Sequence, residues 1–220
     1  AASCNTDLSN TPFYEDIYEG LDKSITQYIQ ENPGEFSRFL RILEEADLDG
    51  TLTAYNPHGN DYTLFLPDNE AVDSYISGNP GYSSFEELLE DREYLWLLAR
   101  YHVVNRAIQK NDFPYGVLPD TTLSGDLLTI GFVGDIDSKV LKVNNEASIV
   151  TQDIELVNGY IHVIDRMLVP VIYSSYEWLE AQAEFSVFTG ALEVTGLKDT
   201  FTIQTGEELE YTSNTLLAEP

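Results

Sequence analysis

The chain has 220 residues, 11 of them Lys or Arg and 38 Asp or Glu, for a formal net charge of −27. That charge excludes nucleic acid and anionic membrane surfaces as partners, because both repel it. The length accommodates one domain, or one and a fraction, with a core that needs no disulfide or metal, and no apolar run reaches the roughly 18 residues that a membrane-spanning helix requires.

In chain order, the first feature is Cys4, the only cysteine, directly after Ala1-Ala2-Ser3. Small residues before such a cysteine resemble the end of a bacterial lipoprotein signal, which makes Cys4 a lipid-attachment candidate; the other reading is a free cysteine on a tail. Residues 1–20 carry no clean period and read as a tether. No Asn-x-Ser/Thr sequon occurs, which speaks against a eukaryotic secreted glycoprotein. From Leu21 the pattern is helical: Ile25, Tyr28 and Ile29, then Phe36, Phe39, Leu40 and Leu43 at helical spacing. Asp47-Leu48-Asp49-Gly50 looks briefly like a calcium loop, but it lacks the third oxygen position and the distant glutamate. It reads instead as a helix end with glycine beyond it.

Tyr62 to Leu66 reads as a strand stopped by Pro67, with Asp68 or Asn69 capping a helix through Ile76. Ser84 with Glu87 forms a capping box for a second helix, and Tyr94 to Ala99 belongs to a third. Tyr101-His102-Val103-Val104 reads as a short strand, and Leu127 to Val133 with Val140 to Val143 as a hairpin around Gly134-Asp135. Two longer apolar runs, Ile149 to Val157 and Tyr160 to Val169, flank Asn158-Gly159, a dipeptide that suits a type I′ turn. Both faces of the second run are mostly apolar, which places it centrally in a sheet, and Pro170 ends it. Helices, a strand, helices and then a run of antiparallel strands make an α+β layout, not a βαβ array.

The sequence also repeats. Glu35, Phe36, Ser37, Phe39, Leu43, Glu44, Leu48 and Thr51 recur 149 residues later, within Glu184 to Phe201, and Tyr62-Thr63 recurs as Tyr211-Thr212. The chain therefore reads as one complete unit, 21–172, and the N-terminal part of a second, 173–220, cut from a longer tandem protein. Ser186 to Leu197 is expected to be helical.

Three stretches together resemble the fasciclin domain, an extracellular adhesion module. Thr63 to Val72, TLFLPDNEAV, resembles its first signature; Tyr101-His102-Val103-Val104 its middle motif; and Asn158 to Asp165, NGYIHVID, its second signature. Thr122-Leu123-Ser124-Gly125 is also similar to family usage. The resemblance covers about Leu21 to Ile172 and resumes over Tyr176 to Pro220. It implies a seven-stranded antiparallel β-sandwich or wedge with several helices packed beside it. Asn105 and Arg106 stand where many members have Pro-Gly, so the loop there departs from the pattern. Some members use an Asp-Ile pair before the second signature to bind integrins. Asp153-Ile154 occupies that place, between Gln152 and Glu155, which carries over a contact position and not the integrin partner.

Catalytic and metal readings find little. His102 and His162 lie in apolar strand patterns, where a buried, hydrogen-bonded histidine is the ordinary outcome, and His58 lies in a loop. Zinc spacing, a Gly-x-Ser-x-Gly elbow and a phosphate-binding glycine loop are all absent from the sequence. Asp135 and Asp137 read as turn residues, and the loop tyrosines Tyr14, Tyr55, Tyr82 and Tyr115 as either packing or partner contacts. The sequence thus points to a non-enzymatic module without metal or cofactor, on the extracellular face of a bacterial membrane or secreted. Its partner would be a cell-surface or matrix protein, or a polysaccharide, met around Tyr101, His102, Asp153 and Ile154. Membrane association would come only through Cys4. The alternative is an accessory glycan-binding lipoprotein of a polysaccharide-uptake system.

Overall fold

The computed structural model of the chain describes residues 22–57, 59–134 and 140–202. The tether with Cys4 and Tyr14, His58, Asp135 and Asp137 of the hairpin turn, and Tyr211-Thr212 lie outside the described residues. Two compact units divide at Pro170/Val171.

The first unit begins with α1 (Ile25–Glu31), α2 (Pro33–Glu45) and α3 (Asp49–Thr53). Ser24 caps α1 through a reciprocal box with Gln27, and Pro33 opens α2 where its missing N–H costs nothing. Phe36, Phe39, Ile42 and Leu43 share the buried face of α2. Beyond its last turn the left-handed residue is Asp47 (φ 51°), not the expected glycine, and Gly50 lies inside α3. The Leu48 N–H then donates to the Leu43 carbonyl (2.9 Å), a C-terminal cap that turns Leu48 into the core at 2% exposure.

Next come β1 (Tyr62–Pro67), α4 (Asn69–Gly78), α5 (Phe85–Glu90) and α6 (Arg92–Tyr101). Asp68, Ser84 and Asp91 cap the three helices by accepting from the N–H groups of Ala71 (2.7 Å), Glu87 (3.2 Å) and Tyr94 (3.2 Å). Tyr101 is the last residue of α6 and His102 its C-cap, so the expected strand shortens to β2 (Val103–Val104). The remaining strands are β3 (Gly116–Val117), β4 (Thr129–Val133), β5 (Val140–Val143), β6 (Ala147–Leu156) and β7 (Gly159–Ile164). A two-residue β3 was not visible in a loop rich in Pro and Gly.

The seven strands form one sheet in the order β2-β1-β7-β6-β5-β4-β3. This corrects the expected antiparallel sandwich: β1 runs parallel to β7, from Tyr62 beside Gly159 to Pro67 beside Ile164, and the sheet is mixed. It also curls, because Val104 on the β2 edge bridges to Thr122, on the segment that leads into β4. β7 is central, as its two apolar faces require. One face packs Leu64, Leu66, Ile161 and Val163 under the helices with Phe36, Phe39, Leu95 and Leu98. The other encloses Phe65, Val104, Ile130, Leu141, Val143, Ile149 and Ile164. Each such side chain contributes about 1.5–3 kcal/mol on burial. β7 ends at Ile164, before Pro170, because Asp165 turns back onto β6: its N–H donates to the Ser148 carbonyl (3.1 Å), and its Oδ1 accepts from the Ser148 N–H (2.7 Å).

Asn158-Gly159 has another task than the type I′ turn. Leu156 pairs with Gly159, so the connection is Val157-Asn158, and Asn158 does not adopt positive φ. Fully buried, Asn158 accepts from the Ile25 N–H (3.0 Å) and donates to the carbonyls of Leu52 (2.7 Å) and Ala54 (2.9 Å). One side chain thereby ties α1, the end of α3 and the β6–β7 hairpin together. Gly159 (φ 149°) lets β1 pass so close that a Cβ would lie 1.9 Å from the Tyr62 carbonyl oxygen.

The second unit contains α7 (Ser175–Glu180) and α8 (Ser186–Thr195), followed by a 3-10 turn, Lys198–Thr200. It repeats the local geometry of α1 to α3. Ser174 and Glu177 form the same capping box as Ser24 and Gln27. Gly196 (φ 72°) stands where Asp47 stands, and the Leu197 N–H donates to the Leu192 carbonyl at 2.9 Å, as Leu48 does to Leu43. Trp178 meets Phe185 at 6.1 Å as Tyr28 meets Phe36 at 6.3 Å. Val187 and Val194, 85% and 90% exposed, occupy the positions of the half-buried, ion-paired Arg38 and Glu45.

Candidate functional site

β6 carries more residues than β7 can pair. The register steps from Ile149 opposite Ile164, to Thr151 opposite Val163, to Ile154 opposite Ile161, so one surplus residue falls at Val150 and a second at Gln152-Asp153. Asp153 takes a left-handed conformation (φ 58°), which aspartate tolerates better than most residues. The bulge aims its exposed side chain sideways along the surface, and Oδ1 accepts from the Lys110 N–H (2.7 Å). Lys110 begins a 3-10 turn, Lys110–Asp112, at the end of the loop that follows β2. Ile154 is half-buried and packs against the helix-side core.

The 105–112 loop is held from below. Thr63 Oγ1 donates to the Arg106 carbonyl (2.6 Å) and accepts from the Ile108 N–H (2.8 Å). His162, at 0% exposure, packs against the rings of Phe65 (5.8 Å) and Phe113 (5.0 Å), which stack on each other at 6.0 Å. Its Nε2 faces the Ile108 carbonyl at 2.9 Å, and its Nδ1 accepts from the Asp153 N–H at 3.3 Å. These partners assign a neutral ring with its proton on Nε2. Desolvation pushes the His162 pKa below the ordinary histidine value, against smaller opposing effects of the Ile108 carbonyl and the Asp153 carboxylate.

At the rim, Gln109 Nε2 donates to the Tyr160 hydroxyl, which donates to Glu155 Oε1 (3.2 Å). Burial chiefly, then the Glu155 and Asp153 carboxylates, raise the Tyr160 pKa, while the Gln109 bond lowers it. Arg106 pairs with Asp120 (3.0 Å) beside a cleft of about 240 Å³ that Asp112, Pro114 and Val117 also line. The surface thus presents carboxylates, amides and a phenol across the β6 bulge, β7 and the 105–112 loop, a set suited to recognition by hydrogen bonds and charge.

Of the candidate contacts, Asp153 stands exposed at this surface, Ile154 is half-buried beside it against the helix-side core, and Tyr101 and His102 are interior. Tyr101 is 6% exposed, and its hydroxyl accepts from Asn144 Nδ2 (3.0 Å). His102 is 0% exposed; its Nδ1 donates to the Leu98 carbonyl (2.8 Å), its Nε2 accepts from the Leu168 N–H (3.0 Å), and its ring packs on Phe39 (4.9 Å). Desolvation lowers its pKa to about 4, with the Leu98 carbonyl opposing. Rings so enclosed have no surface to offer a partner; they position the end of α6 and the segment after β7. Cys4 lies outside the described residues. Lys110, Gln109 and Tyr160 belong to the surface although the sequence did not single them out. Only a count of β6 against β7 could have signalled the bulge.

Of the loop tyrosines, Tyr55 is 71% and Tyr115 82% exposed, the latter stacked on Phe132, while the Tyr82 hydroxyl donates to Asp91 Oδ2 (2.8 Å). Among the described residues, no group of three or more His, Cys, Asp and Glu could hold a metal ion, and no helix is long and apolar enough to cross a membrane. In the second unit, a cleft of about 420 Å³ is lined by Val171, Tyr173, Ser174, Trp178 and Phe185.

Comparison with known proteins places these features in a wider set. The fasciclin domain family model matches residues 34–170. Human periostin is 30% identical over 159 residues, 71% of this chain but 17% of periostin. Protein sll1483 of Synechocystis sp. is 33% identical over 137 residues, 61% of this chain and 67% of that protein. The transforming growth factor-beta-induced protein ig-h3 of Sus scrofa is 29% identical over 136 residues, 62% of this chain and 18% of that protein. A solved structure of a FAS1 domain pair from the insect cell adhesion molecule fasciclin I aligns at 17% identity with a TM-score of 0.47, covering 76% of this chain and 56% of that one.

Proposed function

The chain belongs to the fasciclin domain family, and on that premise we propose that it is a non-enzymatic binding module. It would work outside the cell, where it attaches one surface to another by recognising a surface or matrix protein. The observation that carries this reading is the β6 bulge, where exposed Asp153 sits next to half-buried Ile154 on a backbone held by Lys110 and His162. A rigid bulge suits recognition because little ordering entropy is lost when a partner docks. The internal repeat and its shared helix caps support a tandem arrangement, in which the second unit is the helical layer of another such domain. Ala1-Ala2-Ser3-Cys4 supports attachment to a membrane through an acylated Cys4.

The test is adhesion of cells and purified matrix proteins to surfaces coated with the native chain or with Asp153→Asn. The amide retains an acceptor for the Lys110 N–H and removes only the charge. A loss of binding of roughly fivefold or more, with unfolding unchanged, supports the reading; equal binding removes the patch. A second reading, polysaccharide binding, is favoured by the aromatic cleft of the second unit, where Tyr173 and Trp178 are 61% and 53% exposed. A glycan array on native chain and Trp178→Ala tests it.

A further inference from the structure

We propose that His162 is a positioning residue for the Asp153–Ile154 surface: neutral, with its proton on Nε2, it ties the β6 bulge to the 105–112 loop, and it can take a second proton only by releasing the bulge. The inference rests on the reading of that surface as the binding site.

The geometry is a closed circuit. His162 on β7 receives the Asp153 N–H on Nδ1 and faces the Ile108 carbonyl with Nε2, while the Asp153 carboxylate receives the Lys110 N–H. Strand, bulge and loop are thus joined through one ring and one carboxylate. The left-handed backbone of Asp153 costs energy by itself, so it persists only where surrounding bonds determine it. His162 supplies one of these bonds from a site where no water competes, at 0% exposure.

A neutral imidazole satisfies both of its contacts, one as donor and one as acceptor. A protonated ring has two donors, and its Nδ1–H would then face the Asp153 N–H, donor against donor. The circuit therefore holds in only one protonation state. The charged group acting on the ring is the Asp153 carboxylate. Phe65 from β1 and Phe113 from the loop cover the ring without adding charge. Arg106, Lys110 and Asp112 on the loop are exposed, and Arg106 is paired with Asp120.

The test is amide hydrogen exchange on the full chain, with the Leu64 amide of β1 as internal reference. It needs no partner, so failure of the adhesion reading leaves it intact, and its own failure leaves that reading open. In His162→Phe, which keeps a ring and loses both contacts, Asp153 and Lys110 exchange rises about fivefold or more relative to Leu64, the factor expected from one lost hydrogen bond of about 1 kcal/mol. In His162→Gln, whose amide offers one donor and one acceptor, the rise is less than twofold. Equal acceleration of all three amides in His162→Phe, or His162→Gln behaving like His162→Phe, overturns the proposal. Should His162→Phe fail to fold, a pH series decides. The Asp153-to-Leu64 exchange ratio, corrected for intrinsic rate, rises from pH 7 to pH 4.5 in the native chain and stays flat in His162→Gln. A ratio flat in both chains overturns it.

Discussion

Replacing Asn158 by alanine tests whether one buried amide holds the helical layer to the sheet. The side chain is fully buried and makes three hydrogen bonds: from the Ile25 N–H at 3.0 Å, to the Leu52 carbonyl at 2.7 Å and to the Ala54 carbonyl at 2.9 Å. The first two are inaccessible to water, and leaving a buried group unpaired costs about 1–3 kcal/mol each. With a smaller loss at Ala54, the sum is about 3–5 kcal/mol, a large fraction of the roughly 5–15 kcal/mol that stabilises a domain. The chain has two tryptophans, one in each unit, so in a Trp178→Phe background Trp96 fluorescence reports the first unit. With a urea dependence of about 2 kcal/mol per molar, the unfolding midpoint moves down by about 2 M. Asn158→Asp moves it at least as far, because a carboxylate cannot donate to either carbonyl. A shift below about 0.5 M in the alanine variant would refute the reasoning, since it would mean that the three backbone groups find other partners.

Gly159→Ala places a Cβ 1.9 Å from the Tyr62 carbonyl oxygen and costs about 3 kcal/mol or more, measured by the same urea titration; a near-neutral effect contradicts the close passage of β1. His102 is depressed to a pKa of about 4 by desolvation. The unfolded chain therefore binds this proton first, from pH 6.5 downward, and the native state loses about 3 kcal/mol from this group between pH 6.5 and 4. An NMR titration of its ring finds a midpoint near 4, and a midpoint near 6.5 contradicts the buried circuit with Leu98 and Leu168. Tyr94, half-buried and hydrogen-bonded to Tyr75 at 2.8 Å, is raised well above the ordinary phenol range, chiefly by desolvation. Ultraviolet titration shows it ionising only as the protein unfolds in alkali, and ionisation near pH 10 with native circular dichroism contradicts this.

Local signals carried much of the fold. Asp68 and Ser84 announced their helices because a cap is a short-range bond, and β7 read as central because both of its faces are apolar. Non-local pairing was invisible: that β1 would lie parallel to β7 depends on the contact of Tyr62 with Gly159, 97 positions apart, and no pattern within either strand encodes it. Asn158-Gly159 shows how a local signal misleads. The dipeptide suits a tight turn, yet its amide is used in long-range bonds and its glycine in making room. At the candidate site, Asp153-Ile154 was legible by position and Tyr101-His102 by motif. The motif residues proved to be interior, because the helix before them runs on through Tyr101. Strand alternation placed His162 but could not show its two partners, which reach it only through the bulge and the loop.

As proposed, this module meets its partner at the Asp153–Ile154 bulge. The most direct measurement is binding of the native chain and of Asp153→Asn to the same panel of matrix-coated and cell surfaces at pH 7, with urea unfolding of both run alongside. Equal stability with binding weakened about fivefold or more is expected; equal stability with equal binding would contradict the proposed site.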